Sequence, residues 1–235
     1  MLPIIVLAGG LATRLRPITE TIPKALISIN NIPFVLHQLD LFKRRGINDV
    51  HFCLGYLGKM VEDIVLGSEF VDSMNINFYY DGDKLLGTGG AIRNVMDLLP
   101  NDFFVTYGDS YLDIEYKEVS LFFEANRLNE KTALMTVFKN QNKWDSSNVV
   151  FKEGKVTLYS KKNKDPKMQY IDYGLGVLTK KDFERYKEGS IFDLADIYEE
   201  LSVNGNLLGI PMKQRFYEIG SFDGINDISN YLKHI

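Results

Sequence analysis

One cysteine, one tryptophan and three histidines are all that the 235-residue chain holds of those types. Cys53 alone cannot close an internal disulfide, and a four-cysteine zinc site is excluded. His37, His51 and His234 are scattered, so no HExxH constellation is present either. Long apolar runs are missing too. The opening Ile4-Ile5-Val6-Leu7-Ala8 stops at a glycine pair and has no basic leader, unlike a secretion signal. No window reaches the roughly 20 apolar residues that cross a bilayer, which argues against membrane insertion. With 27 Lys and Arg against 31 Asp and Glu the net charge is −4, which gives no field for a long polyanion and argues against nucleic-acid binding. Repeats, low-complexity tracts and Gly/Ser linkers are lacking, so a single domain over 1–235 is expected, with cytoplasmic residence.

What is present is a globular composition, 45% hydrophobic and 25% charged. Short runs rich in Val, Ile, Phe and Tyr alternate with amphipathic stretches, the grammar of βαβ units. Residues 3–8 are apolar without polar alternation, as in a central strand covered on both faces. Phe34, Val35, Leu36, Leu39, Leu41 and Phe42 mark a helix over 34–45, ended by Gly46 and followed by a strand over 50–55. The same logic predicts a helix over 59–66, a strand over 76–80, a helix over 90–98 stopped by Pro100, and a strand over 103–107. Beyond Asp109 the runs 134–138, 149–151, 155–159 and 170–178 read as strands with little helix between them. Glu153-Gly154 reads as a turn and 161–167 as a charged loop. Helices over 192–201 and 222–233 flank a last strand over 207–212. The expected fold class is α/β, a Rossmann-like mixed, mainly parallel central sheet flanked by helices.

Directly after the first strand comes Leu7-Ala8-Gly9-Gly10-Leu11-Ala12-Thr13-Arg14-Leu15-Arg16-Pro17. Adjacent glycines let the main chain approach a phosphate, and successive N–H groups of such a loop form an anion nest. The loop is neither GxxxxGK[ST] nor GxGxxG. Gly9-Gly10 alone suits an ordinary turn equally well. Arg14 adds a fixed charge, and ten residues on Pro23-Lys24-Ala25-Leu26 stiffens the chain and aims an ammonium. In combination these elements resemble the signature of the sugar-1-phosphate nucleotidyltransferases, [LA]-x-G-G-x-G-T-R-L-x-P-L-T followed by P-K-x-L, with Ala12 replacing a glycine.

Further segments resemble that family in the same order. Leu86-Gly87-Thr88-Gly89-Gly90-Ala91 is similar to the stretch that packs on base and ribose, which implies Thr88 and Gly89 in nucleotide binding. Val105-Thr106-Tyr107-Gly108-Asp109 ends a strand with a carboxylate, and the resemblance makes Asp109 a Mg²⁺ ligand with Gly108 beside the nucleotide. Glu218, in Phe216-Tyr217-Glu218-Ile219-Gly220, stands where the family has an aspartate and is the implied second ligand, with Asp223 as the alternative. Lys161 matches the lysine that neutralises the acceptor phosphate, with Lys162 as rival. Asp172 and Gly174 lie in a strand similar to the one lining the sugar pocket. Asn148 is the implied sugar contact, and Trp144 is either its neighbour there or a core or interface anchor.

The resemblance therefore implies a fold of nucleotide-diphospho-sugar transferase type, with 1–115 binding nucleotide and 116–235 binding sugar phosphate. It implies an enzyme converting NTP and a sugar 1-phosphate to NDP-sugar and pyrophosphate with Mg²⁺, in nucleotide-sugar biosynthesis for cell-surface polysaccharide. Leu7, Ala8, Gly9, Gly10, Thr13 and Arg14 are the expected phosphate and nucleotide contacts. Arg14, Lys24, Asp109 and Lys161 are the expected catalytic set. No hexapeptide repeat is present, so the chain is similar to the short heptose 1-phosphate guanylyltransferases, which favours GTP with manno-heptose 1-phosphate. UTP-, CTP- or dTTP-dependent hexose 1-phosphate transfer, a non-catalytic nucleotide-sensing module, a Rossmann-type oxidoreductase and a homo-oligomer stay open.

Overall fold

The computed structural model describes residues 1–10, 13–82, 84–130, 132–143 and 145–234. Leu11, Ala12, the side chain of Thr13, and Trp144 lie outside the described residues. In chain order the strands are β1 (Ile4–Ala8), β2 (Ser28–Ile29), β3 (Ile32–Pro33), β4 (Asp49–Leu54), β5 (Asn75–Tyr80), β6 (Asp102–Tyr107) and β7 (Ser110–Tyr111), then β8 (Ala133–Lys139), β9 (Val149–Lys152), β10 (Lys155–Tyr159), β11 (Tyr170–Thr179), β12 (Leu207–Met212) and β13 (Tyr217–Glu218). The helices are α1 (Phe34–Arg44), α2 (Gly58–Leu66), α3 (Gly87–Asn94), α4 (Tyr116–Asn126), α5 (Leu194–Val203) and α6 (Phe222–Leu232).

Nine strands form one sheet in the order β5-β4-β1-β6-β11-β8-β12-β10-β9. The first four run parallel. β11 pairs antiparallel with both β6 and β8, β12 is parallel to β8, and the β9-β10 hairpin closes the far edge. The parallel pairings are thus concentrated in the first half. Central β1 follows from its composition: Ile4 and Val6 point to one face, Ile5 and Leu7 to the other, and all four are buried. One face packs on α1, α2 and α4 through Val35, Leu39, Val61, Val65, Val119 and Phe123. The other packs on α3 and α5 through Ile92, Leu194, Ile197 and Leu201.

α4 is the element that the strand-rich expectation for the second half omits. Its Tyr116, Val119 and Phe123 recur at i, i+3 and i+7, and all three are buried on β6 and its neighbours. Truncating Phe123 to Ala in such a core costs about 3–5 kcal/mol. α3 begins three residues earlier than its periodicity predicts, because Gly87 takes up a positive φ of 75° and lets the turn start at once. Glu153 and Gly154, with φ of 50° and 78°, make the tight turn between β9 and β10.

A third, smaller cluster joins Leu15, Ile29, Phe34, Tyr111, Ile219 and Ile228. It fastens α6 and β13 against the front of α1. That attachment brings the end of the chain back to the carboxyl ends of the parallel strands.

Candidate active site

The parallel strands end on a common edge, where a cleft of about 250 Å³ opens. Leu7, Ala8, Gly9 and Gly10 line it from β1, Gly108 and Asp109 from β6, and Gly87 and Thr88 from α3. The β1 and β6 ends are pressed together: a Cβ on Gly108 would fall 2.7 Å from that of Ala8. Gly10 is different, since a Cβ there would meet nothing within 4 Å, and its main chain faces open space.

Pro23 is extended, and the turn Lys24–Leu26 that follows brings Lys24 into the cleft. Its Nζ lies 2.8 Å from Asp109 Oδ2, with the side chains only 22% and 31% exposed. Glu218 reaches the same place across the fold. β13 pairs with β7 so that Glu218 opposes Ser110, and the Ile219 N–H donates to the Asp109 carbonyl at 3.0 Å. The Glu218 carboxylate accepts from the Gly220 N–H and from the Ser221 hydroxyl. A Cβ on Gly220 would stand 3.5 Å from Lys24 Nζ, which sets Glu218 beside the same ammonium. One cation and two far-separated acids therefore converge. Asp223 is exposed in the first turn of α6, where Ser221 supplies the cap.

Two carboxylates next to a glycine turn suit a hard divalent cation whose other ligands are oxygens of a bound ligand and water. Among the described residues no group of three or more His, Cys, Asp or Glu assembles into an all-protein cage. Asp109 already attracts the Lys24 ammonium, so the position is one where positive charge is favoured.

Arg14 is not brought in with Lys24. It is exposed and does not line the cleft, because its neighbour Leu15 is fully buried in the third cluster and turns the short helix Thr13–Leu15 outward. Gly89 is likewise turned from the cleft: a Cβ there would strike the Phe192 ring at 2.3 Å, and its N–H donates to the Phe192 carbonyl at 3.1 Å. Thr88 lines the cleft, but its hydroxyl donates to Asp193 at 2.9 Å and accepts the Leu194 N–H at 2.8 Å. The glycine-rich segment is small chiefly so that residues 190–193 can lie on it.

Those residues carry a side chain absent from the sequence expectation. Asp193 caps α5, receives the Thr88 hydroxyl and pairs with Lys161 at 3.5 Å. Desolvation pushes its pKa up, but the Ala195 N–H, the Lys161 charge and the Thr88 hydroxyl outweigh it and hold the pKa below the usual value. Lys161 lies 6.0 Å from the centroid of Tyr107, which also lines the cleft. Asp172 faces the same region, its pKa raised by desolvation against the opposing Gly174 N–H and Lys161. Gly174, at φ 102°, bends β11 where its register with β8 shifts, so that its N–H reaches Asp172 Oδ1 at 3.0 Å. Asn148 accepts the Asp172 N–H at 3.0 Å. Lys161, Asp172, Gly174 and Asn148 thus form one neighbourhood, adjoining the cleft through Tyr107. Lys162 is exposed.

Cations and acids gathered at the carboxyl ends of parallel strands handle phosphoryl groups by charge and alignment, which defines a nucleotide-dependent transferase class. The nucleotidyl transferase family profile matches residues 3–234, and the chain belongs to that family. It is 29% identical over 198 residues to D-glycero-alpha-D-manno-heptose 1-phosphate guanylyltransferase of Campylobacter jejuni subsp. jejuni, covering 83% of this chain and 84% of that one. To the mannose-1-phosphate guanyltransferase of Saccharomyces cerevisiae it is 32% identical over 125 residues, 52% of this chain and 34% of that protein. The match thus spans about a third of the yeast relative's length. Its fold is similar to that of HddC from Yersinia pseudotuberculosis, solved complexed with GMP-PN, with a TM-score of 0.80 at 24% identity over 99% of this chain and 100% of that one.

Proposed function

We propose that the protein joins GTP to a sugar 1-phosphate, with manno-heptose 1-phosphate as the preferred acceptor, giving the GDP-sugar and pyrophosphate. The observation that carries this reading is the Lys24, Asp109 and Glu218 convergence at the end of β1 and β6. The Campylobacter relative, matched over most of both lengths, supports the acceptor.

An oxygen of the sugar 1-phosphate attacks the α-phosphorus in line. One P–O bond forms, the bond to the bridging oxygen breaks, and pyrophosphate leaves past Gly9 and Gly10. Main-chain N–H groups there and Lys24 hold the departing charge. Asp109 and Glu218 would hold Mg²⁺, which would supply neutralisation of the phosphate oxygens. Lys161 neutralises the acceptor phosphate, and Asp172 and Asn148 contact the sugar. Arg14, exposed and outside the cleft lining, would have to turn inward to meet the outer phosphates. Residues 1–115 serve the nucleotide and 116–235 the sugar phosphate within one continuous sheet. The reading assigns the reaction to the cytoplasm, where nucleoside triphosphates are found. Among the described residues no helix is long and apolar enough to cross a membrane.

Pyrophosphate release, measured for four NTPs against hexose and heptose 1-phosphates with Mg²⁺, tests the reading. GTP with a manno-heptose 1-phosphate should give the highest rate. Calorimetric binding of nucleotide with no release across the whole panel would point instead to a nucleotide-sensing module.

A further inference from the structure

The first turn of α3 and the segment that opens α5 are bonded into one unit. The Phe192 N–H donates to the Leu86 carbonyl at 3.1 Å, and the Phe192 carbonyl accepts the Gly89 and Gly90 N–H groups at 3.1 and 3.3 Å. Thr88 closes the unit, its hydroxyl donating to Asp193 and accepting the Leu194 N–H. Gly87 and Thr88 line the cleft, so a ligand lying against α3 is also linked to the start of α5.

Lys161 comes to that unit from elsewhere. It lies just beyond the end of β10, and its side chain is half-exposed. Among the described residues its one ion pair is with Asp193. Asp172 feels the same charge from farther off. A four-carbon stem left to itself samples many rotamers, and a lysine that must meet a phosphate loses that freedom on binding.

The bonding of Asp193 decides what this pair can do. A single oxygen, Oδ1, accepts the Thr88 hydroxyl and the Ala195 N–H, both at 2.9 Å, and stands 3.5 Å from Lys161 Nζ. The two short bonds fix the oxygen, one from each helix. The longer ionic contact leaves the ammonium N–H donors for a second anion. An acid bound in this way restrains a lysine without quenching it.

We infer that Asp193 is a positioning residue that ties the Lys161 ammonium to the nucleotide segment at Thr88, so that the charge meant for the acceptor phosphate is held in register with the nucleotide. The assignment rests on the nucleotidyltransferase reading above, in which Lys161 neutralises that phosphate. Asp193 acts through Lys161, and its loss is felt mainly by the sugar phosphate.

The experiment uses the best substrate pair of the pyrophosphate-release panel. Asp193→Asn keeps an acceptor for Thr88 and Ala195 and remains a good helix cap, but loses the charge. It should raise the sugar-phosphate KM by about two- to fivefold, the range for a half-exposed ion pair, with far less change in the nucleotide KM. Asp193→Ser, another cap without the charge, repeats the test if the first variant misfolds by circular dichroism. In a Lys161→Met background the same exchange should add nothing, because no ammonium is left to place. Thr88→Val should raise the sugar-phosphate KM from the nucleotide side, and Thr88→Ser, which restores the hydroxyl, should recover it. A sugar-phosphate KM that stays the same or falls in folded Asp193→Asn overturns the inference. So does an equal rise with and without Lys161, which marks a cap and nothing more. If the wild type turns over no substrate pair, the reaction reading fails. Calorimetric titration of mannose 1-phosphate into wild type and Asp193→Asn then decides: weaker binding by the variant supports the tie to Lys161, and equal binding overturns it.

Discussion

In the first half of the chain β1, β4, β5 and β6 run parallel, so every strand ends on the same edge and every following loop reaches the cleft. In the second half, antiparallel pairing of β11 with β6 and β8 sends neighbouring strands in opposite directions. Residues there reach the site by detours. Glu218 arrives on a two-residue strand clipped to β7, and Lys161 is steered by Asp193 at the start of α5. The parallel half brings its loops to the cleft through strand direction, whereas the second half needs added pairings, main-chain for Glu218 and side-chain for Lys161, to aim its groups.

The sharpest test of this division removes one group from each half. Asp109→Asn should lower kcat by about 10³-fold, the scale for a charge-stabilising group in phosphoryl transfer, with the thermal midpoint nearly unchanged. Lys161→Met should instead raise the sugar-phosphate KM by about tenfold and leave the nucleotide KM alone. Equal effects of both variants on both KM values would dissolve the distinction between halves.

The seam between the halves is the next place to probe. A Cβ on Gly90 would fall 2.3 Å from the Ser190 carbonyl oxygen, a backbone atom that cannot swing aside, whereas a Cβ on Gly10 meets open space. Gly90→Ala is therefore expected to lose about 1–3 kcal/mol in urea denaturation, and Gly10→Ala less than about 0.5 kcal/mol. Matching stabilities for the two would mean that residues 190–193 are not seated on α3.

A further, modest effect comes from a buried acid of the second half. Asp182 follows β11 in the turn Lys180–Phe183, with Oδ2 accepting the Thr179 N–H and Oδ1 buried without a partner among the described residues. Desolvation raises its pKa to about 7 against an ordinary value of 3.8. Between those values the folded state binds more protons than the unfolded chain, so stability is fullest near pH 4 and falls as pH rises toward 7. With partial exposure discounted, the loss from pH 5 to 7 is about 1 kcal/mol. Asp182→Asn should flatten that slope, and an unchanged slope in pH-dependent urea titrations would place its origin elsewhere.

Much of the parallel half was legible in the chain. Unbroken apolar β1, the Gly46 stop and the strand ending in Gly108-Asp109 each announce themselves through local periodicity or a turn residue. α4 was legible too, since Tyr116, Val119 and Phe123 hold helical spacing, but the strand-like runs around it obscured that signal. Asp193 was not. It is a single carboxylate with no motif around it, and it acquires its meaning from partners distant in sequence, Thr88 and Lys161. Arg14 shows the converse, a residue prominent in a motif whose direction is set by the burial of Leu15.

By itself the sequence determined most of the strands and helices of the main sheet, though not α4, together with the covered, interior place of β1 and the family to which the chain belongs, because hydrophobic period and turn chemistry act between near neighbours. Only the tertiary structure decided which charges meet. Lys24, Asp109 and Glu218 are separated by 85 residues and then more than a hundred, and they come together because β13 pairs with β7 and a third apolar cluster fastens α6 beside α1. Electrostatic pairing depends on distance in space, and packing sets that distance.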